Sequence, residues 1–318
     1  MLVGIDPHAN ISLTFVIRVC VLISLVFMAS CNRQPSPVVF VDPALATLVP
    51  ADTIGLAGIR MEQLAKTRFW TDYVQKGRVP MVDEFRRRTG LDPGKNLWEI
   101  LVASNGKEGV VLVRGKFSDM GMEPKLNREG VERFSYKGLT MIGDEKNAVL
   151  FLNPSTAAAG ASATLRRLVD NRNNVSGLPP LLADRIQKIP STNQAWFAAT
   201  VTGLIPSLGE RNAGLAGNLA RLAQSIDFTS GGLDLRQDFR STIDFETKDA
   251  QQADRLSGAI RALLGLGRLN TTDKQREMLS IYDGMHVIKE NSVVHFSTDI
   301  PYSVLEKAAA QIPMLGLK

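Results

Sequence analysis

The chain has 318 residues, 44% hydrophobic and 22% charged, with a formal net charge of +5. That composition is ordinary for a folded globular protein and excludes disordered, low-complexity and fibrous chains; the length suffices for one large domain or two of usual size. The positive excess is small and spread along the chain, and no basic stripe carries interleaved aromatics, so nucleic acid is not an expected partner.

The first distinctive stretch runs from Val19 to Cys31, an uncharged apolar run behind one basic residue, Arg18, that ends in Met28-Ala29-Ser30-Cys31. A basic start, a short apolar core and small residues before a cleavage point have the form of an export signal. Small residues followed by cysteine resemble the lipobox of bacterial lipoproteins, over residues 18–31 only. The resemblance implies cleavage before Cys31, diacylglycerol attached to Cys31 and acylation of its amine, so that the chain meets a membrane through that lipid. Asn32, in place of the Asp associated with inner-membrane retention, implies the outer membrane, facing the periplasm. Met28 stands where the lipobox usually has Leu. The residues before Arg18 hold Asp6 and His8 but no Lys or Arg, and a start near Val16 would leave a compact signal. The other reading of this stretch is an uncleaved membrane helix over Ile11–Ala29. It would place Arg18 inside the apolar segment, at about 2.5–3.5 kcal/mol near a helix centre. The only cysteines are Cys20 and Cys31, so after cleavage no pair remains for a disulfide or a thiolate metal site.

Residues 31–52 hold Pro35, Pro37, Pro43 and Pro50 and read as a semi-extended tether. A first strand is expected over Thr53–Arg60, followed by helical spacing that places Phe69, Trp70, Tyr73 and Val74 on one face. Pro80 interrupts it. A second helix follows over Met81–Thr89, with Gly90 as its cap and Arg86, Arg87 and Arg88 in a last turn that suits cations. Strands Ile100–Ser104 and Gly109–Arg114 meet across Asn105-Gly106, a strong hairpin signal. A short helix is expected after Ser118, then strands Val131–Tyr136, Leu139–Ile142 and Ala148–Asn153, with Lys137-Gly138 as a turn. Helix Ser155–Asp170 would bury Ala158, Ala161, Leu165, Leu168 and Val169.

The polar, turn-rich Asn171–Pro180 marks a boundary, after which the order of elements starts again. Helix Leu181–Ile189, strand Ala195–Val201 and helix Leu215–Ala223 precede strands near Ile226–Thr229, Leu233–Leu235 and Ser241–Glu246. Helix Asp249–Leu264 begins with Asp249 and Gln252 in capping-box spacing. A helix near Asp273–Ile281 leads to the hairpin Met285–Lys289/Ser292–Thr298, and Pro301 opens a last helix. The organisation predicted is a signal at 1–30, a tether at 31–52 and two similar halves at 53–172 and 173–318. Each half reads β-α-β-β-α-β-β-α. The fold class is α+β, antiparallel sheet covered by helices on one face.

The two histidines of the body, His286 and His295, flank the last hairpin, and a Glu290-Asn291 turn would set them opposite each other. No third ligand at recognisable spacing joins them, so no metal is assigned. Gly265-Leu266-Gly267 lacks the rest of a dinucleotide fingerprint, and Gly214-Leu215-Ala216-Gly217 is a helix start. Asp227, Asp234 and Asp244 alternate along strands as an outer face does. Trp70, Trp98 and Trp196 are too far apart in sequence to suggest a stacking platform. The sequence therefore assigns no catalytic residue and no cofactor; its one assigned site is Cys31. It points to an envelope lipoprotein that binds or scaffolds an unknown ligand or envelope protein. The alternative is an envelope hydrolase with a site between the halves. Converging carboxylates or His286 in a cleft favour the hydrolase; an apolar groove favours the binding protein.

Overall fold

The structure, a computed structural model, describes residues 38–117, 132–173, 177–201, 223–272 and 275–311. The signal, Cys31, the first part of the tether, the helix expected after Ser118 and the helix expected from Leu215 fall outside these residues.

Alternating strands and tight turns build one antiparallel sheet of twelve strands, in the order β11-β12-β10-β9-β8-β1-β2-β3-β7-β6-β5-β4. The strands are β1 (Gly55–Arg60), β2 (Leu97–Ser104), β3 (Gly109–Gly115), β4 (Glu132–Tyr136), β5 (Leu139–Gly143) and β6 (Asn147–Asn153), followed by β7 (Thr156–Ala161), β8 (Ala195–Thr200), β9 (Ile226–Asp234), β10 (Phe239–Thr247), β11 (Met285–Glu290) and β12 (Val293–Ile300). The turn chemistry matches the sequence. In the β2–β3 turn, Asn105 Oδ1 accepts from the Lys107 and Glu108 amides at 3.0 and 2.8 Å, and Gly106 has φ +84°. Lys137 and Gly138 both take positive φ, as a two-residue hairpin requires.

The helical segments are α1 (Pro43–Ala46), α2 (Met61–Leu64), a π-helical turn at Trp70–Val74, α3 (Pro80–Thr89), α4 (Pro93–Asn96), α5 (Ser162–Asn171), α6 (Pro180–Ile186), α7 (Ala250–Leu269), α8 (Arg276–Asp283) and α9 (Tyr302–Gln311). Gly90 caps α3 with φ +70°, and the Asp249 carboxylate caps α7 by accepting from the Gln252 amide at 2.8 Å.

Several expectations give way. The helix predicted over Ser155–Asp170 is the strand β7 followed by α5. Ala158 and Ala161 fit a helical face by spacing with Leu165 and Leu168, but the backbone of Thr156–Ala161 fills the slot between β3 and β6 and pairs with both. Pairing on two sides outweighs alanine's helix preference. The two short strands expected around Leu233 are the single strand β9. Gly231 and Gly232 interrupt the pattern without breaking the strand, because neighbours approach too closely for a side chain. A Cβ at Gly232 would lie 2.2 Å from the Asn193 amide.

Helices cover both faces of the sheet, not one. Successive residues of a strand point to opposite faces, and here both directions are apolar. Leu101 and Leu112 enter a core with Leu45 of α1, Leu165 and Leu168 of α5, and Leu182 and Ile186 of α6. On the other face Ile59, Ile100 and Val113 pack against Met61, Trp70 and Val74. Further along that second face, α7 covers β10–β12 through Ala253 and Leu256 against Phe245 and Val294. Pairing of β1 with β8 joins the first and second parts of the chain in one sheet, and Trp196, Ala198 and Phe228 share the first core. Among the described residues no helix is long and apolar enough to cross a membrane.

Candidate functional site

Three segments distant in sequence meet at one edge of the first core. The loop after α1, the β2–β3 hairpin and the last two turns of α5 enclose a groove of about 540 Å³. That size falls in the range of small-molecule sites, about 300–1,000 Å³. Its floor is apolar: Val49, Val110 and Leu168 are buried core residues, and Leu48 adds to the wall. Its mouth is polar, with Asp52, Asn105, Glu108, Arg167, Asn171 and Arg172.

The polar groups are largely matched to one another. Asn105 Nδ2 donates to Asp52 Oδ2 at 2.7 Å, and the Thr164 hydroxyl donates to Glu108 Oε2 at 2.6 Å. Arg167 pairs with the same Glu108 oxygen. The Thr164 hydroxyl, with the Arg167 charge, holds the Glu108 carboxyl below its usual range. Arg172, one residue beyond α5, has no carboxylate within ion-pair distance among the described residues, and it acts on Lys137 as a like charge.

A second polar cluster gathers beside Asp42, the residue that caps α1. Arg60, Glu99 and Arg114 form one row across β1, β2 and β3, with Asp42 beside it. Both arginines direct their donors elsewhere. Arg114 Nε reaches Asp42 Oδ2 at 3.1 Å, and its Nη1 donates to the Ser155 and Thr156 hydroxyls at 2.6 and 2.8 Å. The Arg60 guanidinium donates to the backbone oxygens of Ser191 and Asn193. Glu99 Oε2 receives only a long bond from the Asp42 amide, 3.4 Å, and its Oε1 is buried with no hydrogen-bond partner among the described residues. Burial therefore pushes the Glu99 carboxyl up to about 7. Asp42 also caps α1, accepting from the Ala44 amide at 2.7 Å, and α1 runs directly into the loop that walls the groove.

Neither cluster was named from the sequence. Glu99 had a visible signal, being a lone carboxylate within Leu97-Trp98-Glu99-Ile100-Leu101. The groove had none, because its walls come together only through the register of β1 with β2 and the packing of α5.

The histidine pair does not form as expected. The turn is Asn291-Ser292, with Asn291 at φ +54°, because asparagine takes the left-handed position that such a turn needs. His286 then lies opposite Ser297, and His295 opposite Ile288. A shift of two residues keeps both on one face but separates them diagonally. His295 Nδ1 instead meets Asp244 Oδ1, its neighbour on β10, at 2.7 Å. Among the described residues no three His, Cys, Asp or Glu side chains converge as a metal site would. Of the arginine triplet, Arg86 pairs with Asp83 and Asp92 at 3.1 and 3.4 Å, and Arg87 pairs with Glu84. Asp234 pairs with Arg236 at 2.7 Å. Trp70 and Trp196 are buried, and Trp98 lies under the Arg114 guanidinium. Gly265-Leu266-Gly267 lies inside α7.

No family model matches the chain, and no curated protein matches it. Solved structures similar to it include three crystal forms of TP0453. Form I is 13% identical with a TM-score of 0.47, over 86% of this chain and 98% of that chain. Form III is 13% identical with a TM-score of 0.48, over 86% and 99%. Form IV is 11% identical with a TM-score of 0.47, over 85% and 97%.

Proposed function

We propose that this chain is a bacterial envelope lipoprotein, held to the outer membrane by lipid on Cys31, whose periplasmic body binds a small ligand in the groove beside α5. The groove is the observation that carries the reading. An apolar floor with a polar rim suits binding, whereas the carboxylates at the mouth are occupied by Asn105, Thr164 and Arg167 and leave no general base poised over the cavity. The lipobox resemblance supports the anchor.

The two halves are read as an internal duplication. Outward from the β1–β8 seam, one side runs β1-β2-β3-β7-β6 and the other β8-β9-β10-β12-β11. Each side is a strand, a hairpin, a second hairpin placed in reversed order, and then a helix, α5 or α9. The hairpin β4–β5 is the first half's addition, and the pair α7–α8 the second's.

The test is native mass spectrometry of the full-length protein extracted from its own membranes. The mature chain should begin at Cys31, carry covalent lipid there and hold one non-covalent adduct. Cys31→Ser should remove the lipid, and Ala51→Trp, a bulky residue at the exposed wall of the groove, should remove the adduct alone. An intact N-terminus in the native protein contradicts the anchor. An adduct that survives Ala51→Trp contradicts the groove.

A further inference from the structure

We infer that the occupant of the groove is an organic anion with a short aliphatic body, its carboxylate seated at the mouth on Arg172. This rests on the reading of the groove as a binding site and adds the chemistry of the ligand. Every carboxylate that lines the cavity already has a donor. Asp52 is held by Asn105 Nδ2 at 2.7 Å, and Glu108 by Thr164 and Arg167. Asp170, next to the groove, is held by Lys137 at 2.5 Å and by the Tyr136 hydroxyl at 3.1 Å.

Arg172 is the group left over. Among the described residues its guanidinium has no carboxylate within ion-pair distance, and the one acid close by in sequence, Asp170, is taken by Lys137. Asn171 lies beside it at the same rim with its amide exposed. A carboxylate entering here would take two parallel N–H bonds from the guanidinium fork and match its charge, which neither a neutral nor a cationic ligand does. Below the mouth, Leu48, Val49, Val110 and Leu168 offer only hydrocarbon, so the rest of the molecule gains by being apolar. A single-charge head with an aliphatic tail answers both halves of the site.

The experiment uses the full-length protein in phosphatidylcholine nanodiscs and three probes of equal chain length: octanoate, octanol and octyltrimethylammonium. Binding is followed as the rise in melting temperature with probe concentration, with discs carrying the Ala51→Trp variant as the control for partition into lipid. Octanoate should bind saturably, about tenfold more tightly than octanol, the value of one exposed charge-assisted contact. Octyltrimethylammonium should not bind. Arg172→Gln should lower octanoate to the level of octanol, and Arg172→Lys should retain part of the difference, because a lysine supplies charge without the fork. Absence of saturable octanoate binding overturns the assignment of the ligand. So does octyltrimethylammonium binding as tightly as octanoate, or octanoate binding unchanged by Arg172→Gln. In those cases a native adduct still displaced by Ala51→Trp leaves the groove standing as a site for something else. Octanoate binding that Ala51→Trp leaves intact overturns both.

Discussion

Glu99 shows how a single residue can be placed well by the sheet and still be poorly served by its neighbours. Two arginines flank it in register, yet both spend their hydrogen bonds on other oxygens, and burial dominates. The sign of the consequence follows directly. The folded state holds the Glu99 proton up to about pH 7, while the ordinary carboxyl releases it near 4.5. Between those values the native state binds more protons than the unfolded chain, so this residue makes stability fall as pH rises. Its contribution is fully present below 4.5 and lost by about 7. Glu99→Gln, uncharged at every pH and of the same shape, should flatten that slope in thermal unfolding of the full-length protein between about pH 5 and about pH 8. At the upper pH it should be more stable than the parent by about 1–2 kcal/mol, after discounting for the part of the carboxyl that water reaches. A variant less stable than the parent at the upper pH would mean that the ionised carboxylate holds Arg60 and Arg114 in place.

At the scale of elements the decisive contact is the β1–β8 seam. Gly58 pairs with Trp196 across it, and a Cβ there would come within 2.3 Å of the buried indole ring. The ring cannot step aside without disturbing the first core, in which it packs. Gly58→Ala should therefore cost about 1–3 kcal/mol by urea unfolding, as overpacked cores do. A change near zero would mean that the seam is looser than the pairing implies. The sequence revealed elements where local chemistry decides: Gly90 ending α3, Asp249 starting α7, Asn105-Gly106 and Lys137-Gly138 turning hairpins. It misled where pairing decides. Alanines 157 to 159 became a strand because β3 and β6 leave a slot for one, and Gly231-Gly232 stayed inside β9 because Asn193 packs there. No local rule carries that information.

The molecule as a whole is one twelve-stranded antiparallel sheet, with the groove on the first core and the lipobox-like sequence upstream. The class α+β was legible from turns and periodicity. That helices lie on both faces could have been read from Ile59, Ile100 and Val113, which make β1–β3 apolar in both directions. The groove could not, since its residues span Thr47 to Arg172 and converge only in the folded chain. A crystal structure of the protein purified from its own membranes decides whether the groove holds a ligand. An elongated occupant should lie between the 47–53 loop, the β2–β3 hairpin and α5, with an acidic end within hydrogen-bond distance of Arg172. A groove closed by its own side chains, or an occupant bound elsewhere on the sheet, would contradict it.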